Sequence, residues 1–347
     1  MIKAGVIGST GYAGSELVRI LMQHPAVEIA HLTAHSYVGK RYDTVYENFR
    51  GAVEGECEET DLATLAQDCD VVFMALPHGV TAKTVTPEIL QKTRVIDFGA
   101  DFRLKDADVY EKWYGVTHEG RALLPKAVYG LCEVNREKIK KGRLIANPGC
   151  YTTCSILSLW PLLSNHLIET DSIIVDAKSG VTGAGRGLAL GSLYCEVNEN
   201  MKAYKIASHR HTPEMEEQLS YAAGESIVLS FTPHLTPMNR GILASCYAKL
   251  KPGVTEADVR GVYEDAYSSE AFIRLTKPGV FPETRWVKGS NFLDIGMTVD
   301  QRTNRVLVFG ALDNLGKGAA GQAVQNMNLL FGLPETTGLS AMPMFPA

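Results

Sequence analysis

The sequence predicts an α/β protein of two domains. The first would be built on an open parallel sheet and the second on a mixed, largely antiparallel sheet of α+β type. Up to Asn147, short apolar runs alternate with segments of helical periodicity, as in a parallel sheet covered by helices. Beyond Cys150, strand-like runs dominate and only a few helical segments interrupt them. The length of 347 residues also suits two domains.

The composition limits the classes of partner. The formal charge of −5, without a dense Lys/Arg stripe, argues against nucleic acid. The N-terminus has no signal-peptide pattern, and no apolar run is long enough to span a membrane. The seven cysteines are scattered and include no Cys-x-x-Cys pair, which favours reduced thiols over disulfides or zinc. We therefore expect a cytoplasmic protein with a small-molecule partner and no metal.

A glycine-rich turn directly follows the first apolar run, residues 2–7. The turn consists of Gly8, Ser9, Thr10, Gly11, Tyr12, Ala13 and Gly14. A helical pattern follows it, and a strand, a glycine turn and a helix in this order bind phosphate groups. The spacing is Gly-x-x-Gly-x-x-Gly, so a dinucleotide site is favoured and a simple tight turn is the alternative.

The second strand, Val27–Thr33, is followed by residues that bear on the choice of cofactor. An NAD-binding domain usually has a carboxylate there. Here the loop offers a hydroxyl, Ser36, and two cations, Lys40 and Arg41. These groups suit a 2′-phosphate and predict NADP, unless the two cations belong to a solvated loop.

Two further strands, 70–76 and 94–99, end in loops at the carboxyl edge of the sheet. The first loop begins at Pro77 and would lie near the cofactor. The second leads to Asp101 and Arg103. Arg103 would either pair with Asp101 or bind an anionic group of the substrate.

The strongest chemical signal is Asn147-Pro148-Gly149-Cys150 after a short apolar strand. A helical pattern over 153–160, closed by Pro161, follows it. Cys150 would lie where a turn enters a helix, where unpaired amides and the helix dipole favour a thiolate and an oxyanion. This layout predicts covalent acyl transfer. The alternative is an inert buried cysteine, which is how we interpret Cys154.

The second half of the chain adds a glycine-rich run and two histidines. The strand 172–178 leads into the run 179–187, which would be either a substrate loop with Ser179 and Arg186 near an anion or a mobile surface loop. His209 and His211 precede a predicted helix start at Thr212. A thiol catalyst needs a proton donor and acceptor near pH 7, which histidine supplies.

The remaining pattern predicts the rest of the second domain. Residues 227–231 would form a strand that becomes a proline-punctuated loop. Further strands are expected over 242–249, 292–299 and 305–310, with a helix over 256–267. Near the C-terminus, a glycine-rich turn enters a helix that ends at Leu330. That helix would pack back on the first domain and present Asn314 to the cofactor.

Six motifs in this order resemble the N-acetyl-gamma-glutamyl-phosphate reductase family, the arginine-biosynthesis relatives of aspartate-semialdehyde dehydrogenase. The motifs are residues 8–14, 101–104, 129–131, 147–151, 209–214 and 313–318. His35, Cys132 and Cys154 depart from residues that are common in the family.

The resemblance implies a Rossmann-type NADP-binding domain over 1–148, completed by a helix over 314–332. Residues 149–313 would form a catalytic and oligomerisation domain. It also implies Cys150 as nucleophile, His211 as acid/base, Glu214 as the residue that positions it, and a homotetramer or homodimer. The other expected cofactor-binding residues beyond the glycine turn are Ser36, Lys40, Pro77, Ser179, Gly180 and Asn314. The expected substrate-binding residues are Arg103, Asn147, Arg186 and His209.

The implied reaction is the NADPH-dependent reduction of N-acetyl-gamma-glutamyl phosphate to the 5-semialdehyde through a Cys150 thioester. Close alternatives are reductases of aspartyl or N-acetyl-aminoadipyl phosphate, which differ little in pocket size. A hydrolysing aldehyde dehydrogenase would use the same cysteine with water. A cofactor-binding redox sensor, with Cys150 and Cys154 as its switch, is the alternative without catalysis.

Overall fold

The computed structural model describes residues 1–344, which divide into two compact units. The first unit contains Met1–Pro148 and Ala319–Ser340. The second contains Gly149–Gly318 and residues 341–344. The C-terminal helix therefore belongs to the first unit, although it follows the second in sequence.

The first unit is built on a six-stranded, fully parallel sheet, which confirms the predicted class. Its strands are β1 (Ile2–Ile7), β2 (Val27–Thr33), β3 (Val71–Met74), β4 (Arg94–Asp97), β5 (Ala127–Tyr129) and β6 (Leu144–Ala146). Their order across the sheet is β2-β1-β3-β4-β6-β5. β3 is buried along its whole length, as expected for a strand with helices on both faces.

Helices connect these strands. They are α1 (Tyr12–Leu21), α2 (Tyr42–Val45), α3 (Leu62–Asp68), α4 (Thr81–Thr84), α5 (Pro87–Lys92), α6 (Ala107–Tyr114) and α7 (Cys132–Ile139). Local sequence explains several starts: Asp61 and Asp106 accept backbone N–H bonds as N-caps, and Thr86 precedes Pro87 at the first helical position.

The second unit contains a seven-stranded mixed sheet. Its strands are β7 (Ile174–Ser179), β8 (Lys202–Ala203), β9 (Ser230–Leu235), β10 (Ile242–Lys249), β11 (Ile273–Leu275), β12 (Leu293–Asp300) and β13 (Arg305–Leu312). The order is β11-β12-β13-β10-β7-β9-β8. The central run from β12 to β7 is antiparallel, as predicted, whereas β11–β12 and β7–β9 pair in parallel. The helices are α8 (Cys150–Ser164), α9 (Tyr194–Val197), α10 (Thr212–Ala223) and α11 (Glu256–Tyr267).

The prediction that Pro161 closes the helix after Cys150 is wrong. Helix α8 runs through Pro161 to Ser164. Proline lacks the N–H that would bond to the carbonyl of Leu157 four residues earlier. The hydroxyl of Tyr267 donates to that carbonyl at 2.6 Å, and the hydroxyl of Tyr263 donates to the carbonyl of Ser158. Two tyrosines of α11 thus satisfy carbonyls of this turn.

Two other boundaries differ from the sequence prediction. Strand β9 includes Pro233, which we expected in a loop. β9 has only the two-residue β8 on its outer side, and proline is tolerated near sheet edges. The predicted glycine-rich turn before the last helix is a π-helical turn over Gly316–Ala320, from which α12 (Gly321–Leu330) continues.

Candidate active site

Cys150 is the first residue of α8, and Gly149 is its N-cap in an extended conformation. The first amide N–H groups of a helix have no intrahelical acceptor, so they face this end together with the positive end of the dipole. The thiol is half-buried, whereas Cys154 on the next turn is fully buried. Burial raises the pKa of Cys154 well above its usual value, so this thiol stays protonated.

Backbone packs tightly around the nucleophile. A Cβ placed on Gly318 would lie 2.9 Å from the Cβ of Cys150. No larger residue fits at this position of the π-turn without a shift of the backbone. π-Helical turns occur frequently at functional sites, and this one contacts the candidate nucleophile.

Glu214 holds the turn that precedes Cys150. Its Oε1 accepts the backbone N–H of Gly149 at 2.9 Å and the hydroxyl of Thr152 at 2.8 Å. The side chain lies on the first turn of α10 and is 1% exposed. Glu214 therefore fixes both sides of Cys150, a role that the sequence did not predict for it.

His209 and His211 lie at the start of α10, with His211 as the N-cap. Their rings are 4.8 Å apart, and the backbone N–H of His211 donates to Nδ1 of His209 at 3.1 Å. The ring of His209 is enclosed by Tyr151, Tyr204 and Phe231, and burial lowers its pKa to about 4. His209 is therefore neutral at pH 7, with Nδ1 acting as an acceptor. His211 is half-buried.

Buried Tyr151 and half-buried Tyr204 complete this part of the second unit, and the sequence analysis missed both. The hydroxyl of Tyr204 donates to that of Tyr151 at 3.2 Å, and Tyr151 donates to the carbonyl of His234 at 3.2 Å. Desolvation raises the pKa of Tyr151 and raises that of Tyr204 to about 12, so both phenols are neutral. The only available signal was the position of Tyr151 next to Cys150.

The predicted residues of the glycine-rich run have fixed surroundings. A Cβ on Gly180 would lie 2.6 Å from the carbonyl oxygen of Asn239, so only glycine allows this approach. Ser179 is buried, and its hydroxyl donates to the carbonyl of Gly180 at 3.0 Å. Residues 181–184 form a 3₁₀ turn, and Arg186, which follows it, is half-buried. The first part of the run is thus hydrogen-bonded within the second unit.

Asn314 is buried and bonded within the second unit. Its Oδ1 accepts the N–H of Gly241 at 2.8 Å, and its Nδ2 donates to the hydroxyl of Thr182 at 3.0 Å. Beside it, the buried carboxylate of Asp313 accepts a hydrogen bond from Nε of Arg240 at 2.9 Å. Sequence reasoning missed Arg240, although a cation followed by glycine in a proline-rich loop is a recognisable signal.

The glycine turn of the first unit is closely packed against its strand. Gly8 has φ +76°, and a Cβ there would lie 2.3 Å from the carbonyl oxygen of Ala75. A Cβ on Gly14 would lie 2.3 Å from the carbonyl oxygen of Gly8. Gly11 is the N-cap of α1. Gly8 and Gly14 thus permit the tight turn and close helix–strand packing that are typical of a dinucleotide-binding turn at a helix start.

The carbonyl groups of the same turn are held in place. Tyr42 donates to the carbonyl of Ser9 and Tyr46 to that of Thr10, each at 3.0 Å. The hydroxyl of Ser9 donates to the carbonyl of Thr33 at 2.9 Å. Tyr12 and Ala13 open helix α1 and are half-buried. The turn is therefore ordered by contacts within its own unit.

The other predicted residues of the first unit differ in accessibility. Ser36, Lys40 and Pro77 are exposed. Arg41 binds Asp43 through Nε at 3.1 Å and Nη2 at 2.7 Å. Arg41, one of the two cations considered for a 2′-phosphate, is thus engaged by a carboxylate.

Buried polar groups follow β4 and β6. Arg103 is 5% exposed and donates to the carbonyl of Phe98 at 2.8 Å. Asp101 accepts hydrogen bonds from the backbone of Gly79 and Ala82 and from the hydroxyl of Tyr110. Burial, reinforced by Asp101, raises the pKa of Asp97 to about 7.

Asn147 is also buried, and both ends of its amide are bonded within the first unit. Nδ2 donates to the carbonyl of Ala319 at 3.0 Å, and Oδ1 accepts from Asn326 at 3.1 Å. These partners flank and form the C-terminal helix. Asn147 thus ties the end of β6 to that helix.

The predicted site residues divide between the two units. Cys150, His211 and Glu214 share the second unit with Ser179, Gly180, Arg186, His209 and Asn314. The glycine turn, Ser36, Lys40, Pro77, Arg103 and Asn147 lie in the first. Within residues 1–344, no three His, Cys, Asp or Glu side chains are grouped to hold a metal ion. In the same part of the chain, no helix has the length and apolar character needed to cross a bilayer.

Two family models match the chain along its two halves. The semialdehyde dehydrogenase NAD binding domain matches residues 3–142, and the semialdehyde dehydrogenase dimerisation domain matches residues 150–314. These matches and the two sheets define a two-domain dehydrogenase of the semialdehyde dehydrogenase class with a nicotinamide-dinucleotide-binding domain.

Relatives narrow the class further. The chain is 58% identical to N-acetyl-gamma-glutamyl-phosphate reductase of Lachnoclostridium phytofermentans over 346 residues, which covers 100% of both chains. It is 56% identical to that of Lachnospira eligens, again over 100% of both. The identity to that of Campylobacter jejuni is 56%, over 97% of this chain and 98% of the other. The chain belongs to the N-acetyl-gamma-glutamyl-phosphate reductase family.

Solved structures agree with the fold. Aspartate semialdehyde dehydrogenase II of Vibrio cholerae, complexed with ASA, has a TM-score of 0.72 at 18% identity and covers 96% of this chain and 98% of its own. Aspartate semialdehyde dehydrogenase of Candida albicans, solved with NADP, has a TM-score of 0.69 at 18% identity, over 95% and 99%. At this identity the likeness concerns the fold.

Proposed function

We propose that the protein reduces N-acetyl-gamma-glutamyl phosphate to N-acetyl-glutamate 5-semialdehyde and phosphate with NADPH, as a step of arginine biosynthesis. The single observation that carries this proposal is the full-length identity of 58% to a reductase of that name. The geometry around Cys150 supports the covalent chemistry, since the thiol opens a helix whose first turn is fixed by Glu214.

In this scheme the Cys150 thiolate attacks the acyl carbon, the acyl–oxygen bond breaks, and phosphate leaves with its electron pair and takes up the proton that His211 supplies. The product is a thioester on Cys150. When bound, NADPH supplies the hydride that adds to the thioester carbon and gives a tetrahedral thiohemiacetal oxyanion. The amides at the start of α8 stabilise the resulting oxyanion. Collapse of the oxyanion breaks the carbon–sulfur bond, releases the aldehyde and restores the thiolate.

His211 is the proposed acid/base, and the environment of His209 supports this choice. His209 has a pKa of about 4 and accepts a hydrogen bond at Nδ1, so it does not bind a proton near pH 7. His209 instead fixes the backbone of His211. In the reverse direction His211 takes the proton of the Cys150 thiol as it attacks the aldehyde.

Binding residues follow from the same proposal. The turn from Gly8 to Gly14 fits a dinucleotide, because its close packing leaves no room for a Cβ at Gly8 or at Gly14. Exposed Ser36 and Lys40 favour a 2′-phosphate and hence NADP. Pro77, Ser179, Gly180 and Asn314 remain the other proposed cofactor contacts. Arg103, Asn147, Arg186 and His209 remain the proposed substrate contacts, although Asn147 also serves the C-terminal helix.

The protein is proposed to act in the cytoplasm as a homodimer or homotetramer. The seven cysteines all lie within the described residues and none of them forms a disulfide, as suits a reducing compartment. The match of residues 150–314 to a dimerisation domain supports self-association.

The function is tested by the oxidation of N-acetyl-glutamate 5-semialdehyde. The rate of NADPH formation is measured with and without phosphate. We expect turnover only with phosphate, because phosphate must cleave the thioester. Preference for aspartate semialdehyde or for the aldehyde one carbon longer would assign a neighbouring reductase. Phosphate-independent turnover would indicate a hydrolysing dehydrogenase, and no turnover with any aldehyde would favour the redox sensor.

A further inference from the structure

Two short segments of the second unit meet at the ends of the neighbouring strands β10 and β13. These strands pair antiparallel over their whole lengths. The last two residues before β10, Arg240 and Gly241, therefore lie beside the first two after β13, Asp313 and Asn314. Nε of Arg240 donates to Asp313 Oδ2 at 2.9 Å, and the N–H of Gly241 donates to Asn314 Oδ1 at 2.8 Å. The loop before β10 is thus bonded twice to the turn after β13.

The carboxylate of Asp313 is fully buried and organises the turn that follows it. Its Oδ1 accepts the backbone N–H groups of Leu315 and Gly316 at 2.9 Å and 3.1 Å, and its Oδ2 accepts that of Gly289 at 2.6 Å. A buried charge needs an opposite charge and hydrogen bonds to offset the loss of hydration. Arg240 supplies the charge, and the three amides supply further bonds.

The same turn contains the residue that contacts the candidate nucleophile. The N–H of Gly318 donates to the carbonyl of Asp313 at 2.9 Å, so the two residues are fixed relative to each other. A Cβ on Gly318 would lie only 2.9 Å from the Cβ of Cys150, so the backbone of the turn packs directly on the carbon that carries the thiol. A displacement of the turn would therefore change the support of Cys150.

We propose that Arg240, acting through Asp313, is a positioning residue for Cys150. Arg240 holds the carboxylate of Asp313, the carboxylate holds the π-turn, and the π-turn packs against Cys150. The thiol then keeps its place at the start of α8, where the amides stabilise a thiolate and an oxyanion. This inference rests on the proposed function and adds a pair of residues to those assigned to the reaction.

The alternative role for a cation at this position is to bind an anionic group of the substrate. The two roles predict different kinetics. Loss of a binding contact raises KM at unchanged kcat, whereas loss of a positioning contact lowers kcat at nearly unchanged KM. The contact of Nε of Arg240 with both oxygens of Asp313, at 3.1 Å and 2.9 Å, favours positioning.

The test compares wild type with Arg240→Gln, Arg240→Lys and the matched control Arg274→Gln. Arg274 of β11 forms the same kind of pair with the buried Asp294 of β12, at 2.6 Å and at the edge of the same sheet. Aldehyde oxidation gives kcat and KM. Alkylation of Cys150 by iodoacetamide at neutral pH, followed by mass spectrometry of its peptide, reports on the thiol without substrate. Circular dichroism and thermal melts check folding.

We expect Arg240→Gln to lower kcat at least about tenfold and to change KM by less than about threefold, since a misplaced nucleophile costs rate more than affinity. Alkylation of Cys150 should slow at least about threefold in the same variant. Arg240→Lys keeps the charge without the planar guanidinium, so its kcat and alkylation rate should lie between those of wild type and Arg240→Gln. Arg274→Gln should match wild type in both.

A raised KM with unchanged kcat and alkylation in Arg240→Gln would overturn the positioning role and assign Arg240 to substrate binding. Equal losses in Arg274→Gln would also overturn it, because they would show a general effect on the second unit. If Arg240→Gln does not fold, Arg240→Lys replaces it, and wild-type kcat and alkylation in that variant would contradict the proposal. A wild type without aldehyde turnover would overturn the proposed function, and the alkylation rates would still decide on Arg240.

Discussion

Glu214 Oε1 accepts the backbone N–H of Gly149 at 2.9 Å, although 65 residues separate the two in sequence. This bond joins the start of α10, which carries His211, to the turn that carries Cys150. The two ends of the proposed chemistry are therefore held by one buried carboxylate. Loss of this carboxylate would change the position of Cys150 relative to His211 and lower the stability of the fold.

Glu214→Ala should lower the free energy of unfolding by about 1–3 kcal/mol, because Gly149 and Thr152 lose a buried acceptor. It should also lower kcat. Glu214→Gln keeps an acceptor oxygen and should recover most of the stability. Urea unfolding and steady-state kinetics measure both effects. The control is Glu225→Ala, at an exposed glutamate two residues after the end of α10. Equal effects of Glu214→Ala and Glu225→Ala would refute the anchoring role.

His209 predicts a pH dependence of stability. Its pKa is lowered from 6.5 to about 4 by burial, so the unfolded chain binds the proton first as the pH falls. Neutral His209 therefore contributes fully to the free energy of unfolding above pH 6.5. Between pH 6.5 and 4 the free energy of unfolding falls by about 3 kcal/mol. Asparagine at position 209 does not titrate. The free energy of unfolding of His209→Asn should therefore fall by about 3 kcal/mol less than that of wild type between pH 6.5 and 4. Parallel profiles for wild type and His209→Asn would contradict the assignment.

The glycine turn predicts unequal effects of two alanine substitutions. Gly8→Ala would place a Cβ 2.3 Å from the carbonyl oxygen of Ala75 and force a positive φ, so it should weaken NADPH binding at least about tenfold or unfold the turn. Gly11 has φ −78°, and a Cβ there would lie 3.5 Å from the carbonyl oxygen of Gly8, an ordinary contact. Gly11→Ala should therefore fold normally. Fluorescence titration with NADPH and thermal melts separate binding from folding. Normal NADPH binding by Gly8→Ala would show that the turn is not the cofactor site.

Cys154 should be dispensable for turnover. Its thiol is fully buried and protonated, so Cys154→Ala should keep kcat within about twofold and lose at most about 1 kcal/mol of stability. Cys150→Ala should abolish turnover and still bind NADPH. The same aldehyde oxidation assay compares both variants. A large loss of kcat in Cys154→Ala would contradict the dispensable role of Cys154.

The parts of the fold that depend on local sequence were predictable. β1, β2, β10 and α11 have the expected bounds, since their apolar periodicity and the capping box at Thr255 are local. The continuation of α8 past Pro161 was not predictable from the local sequence. It depends on Tyr263 and Tyr267, which are more than one hundred residues away. The π-turn over Gly316–Ala320 likewise has no established local signature.

The candidate site divides in the same way. Cys150 and the histidines were visible from their positions before helices. The partners of Glu214, the enclosure of His209 by Tyr151 and Phe231, and the Arg240–Asp313 pair were not predictable, because each joins residues distant in sequence. Such pairings depend on the assembled sheet and helices, which periodicity alone does not define.

The most direct measurement of the central claim is a single turnover of N-acetyl-glutamate 5-semialdehyde with NADP⁺ and without phosphate, followed by mass spectrometry of the protein. We predict a burst of one NADPH per active subunit and an N-acetyl-glutamyl adduct on the peptide that contains Cys150, released when phosphate is added. A burst without an adduct, or an adduct on another residue, would contradict the Cys150 thioester.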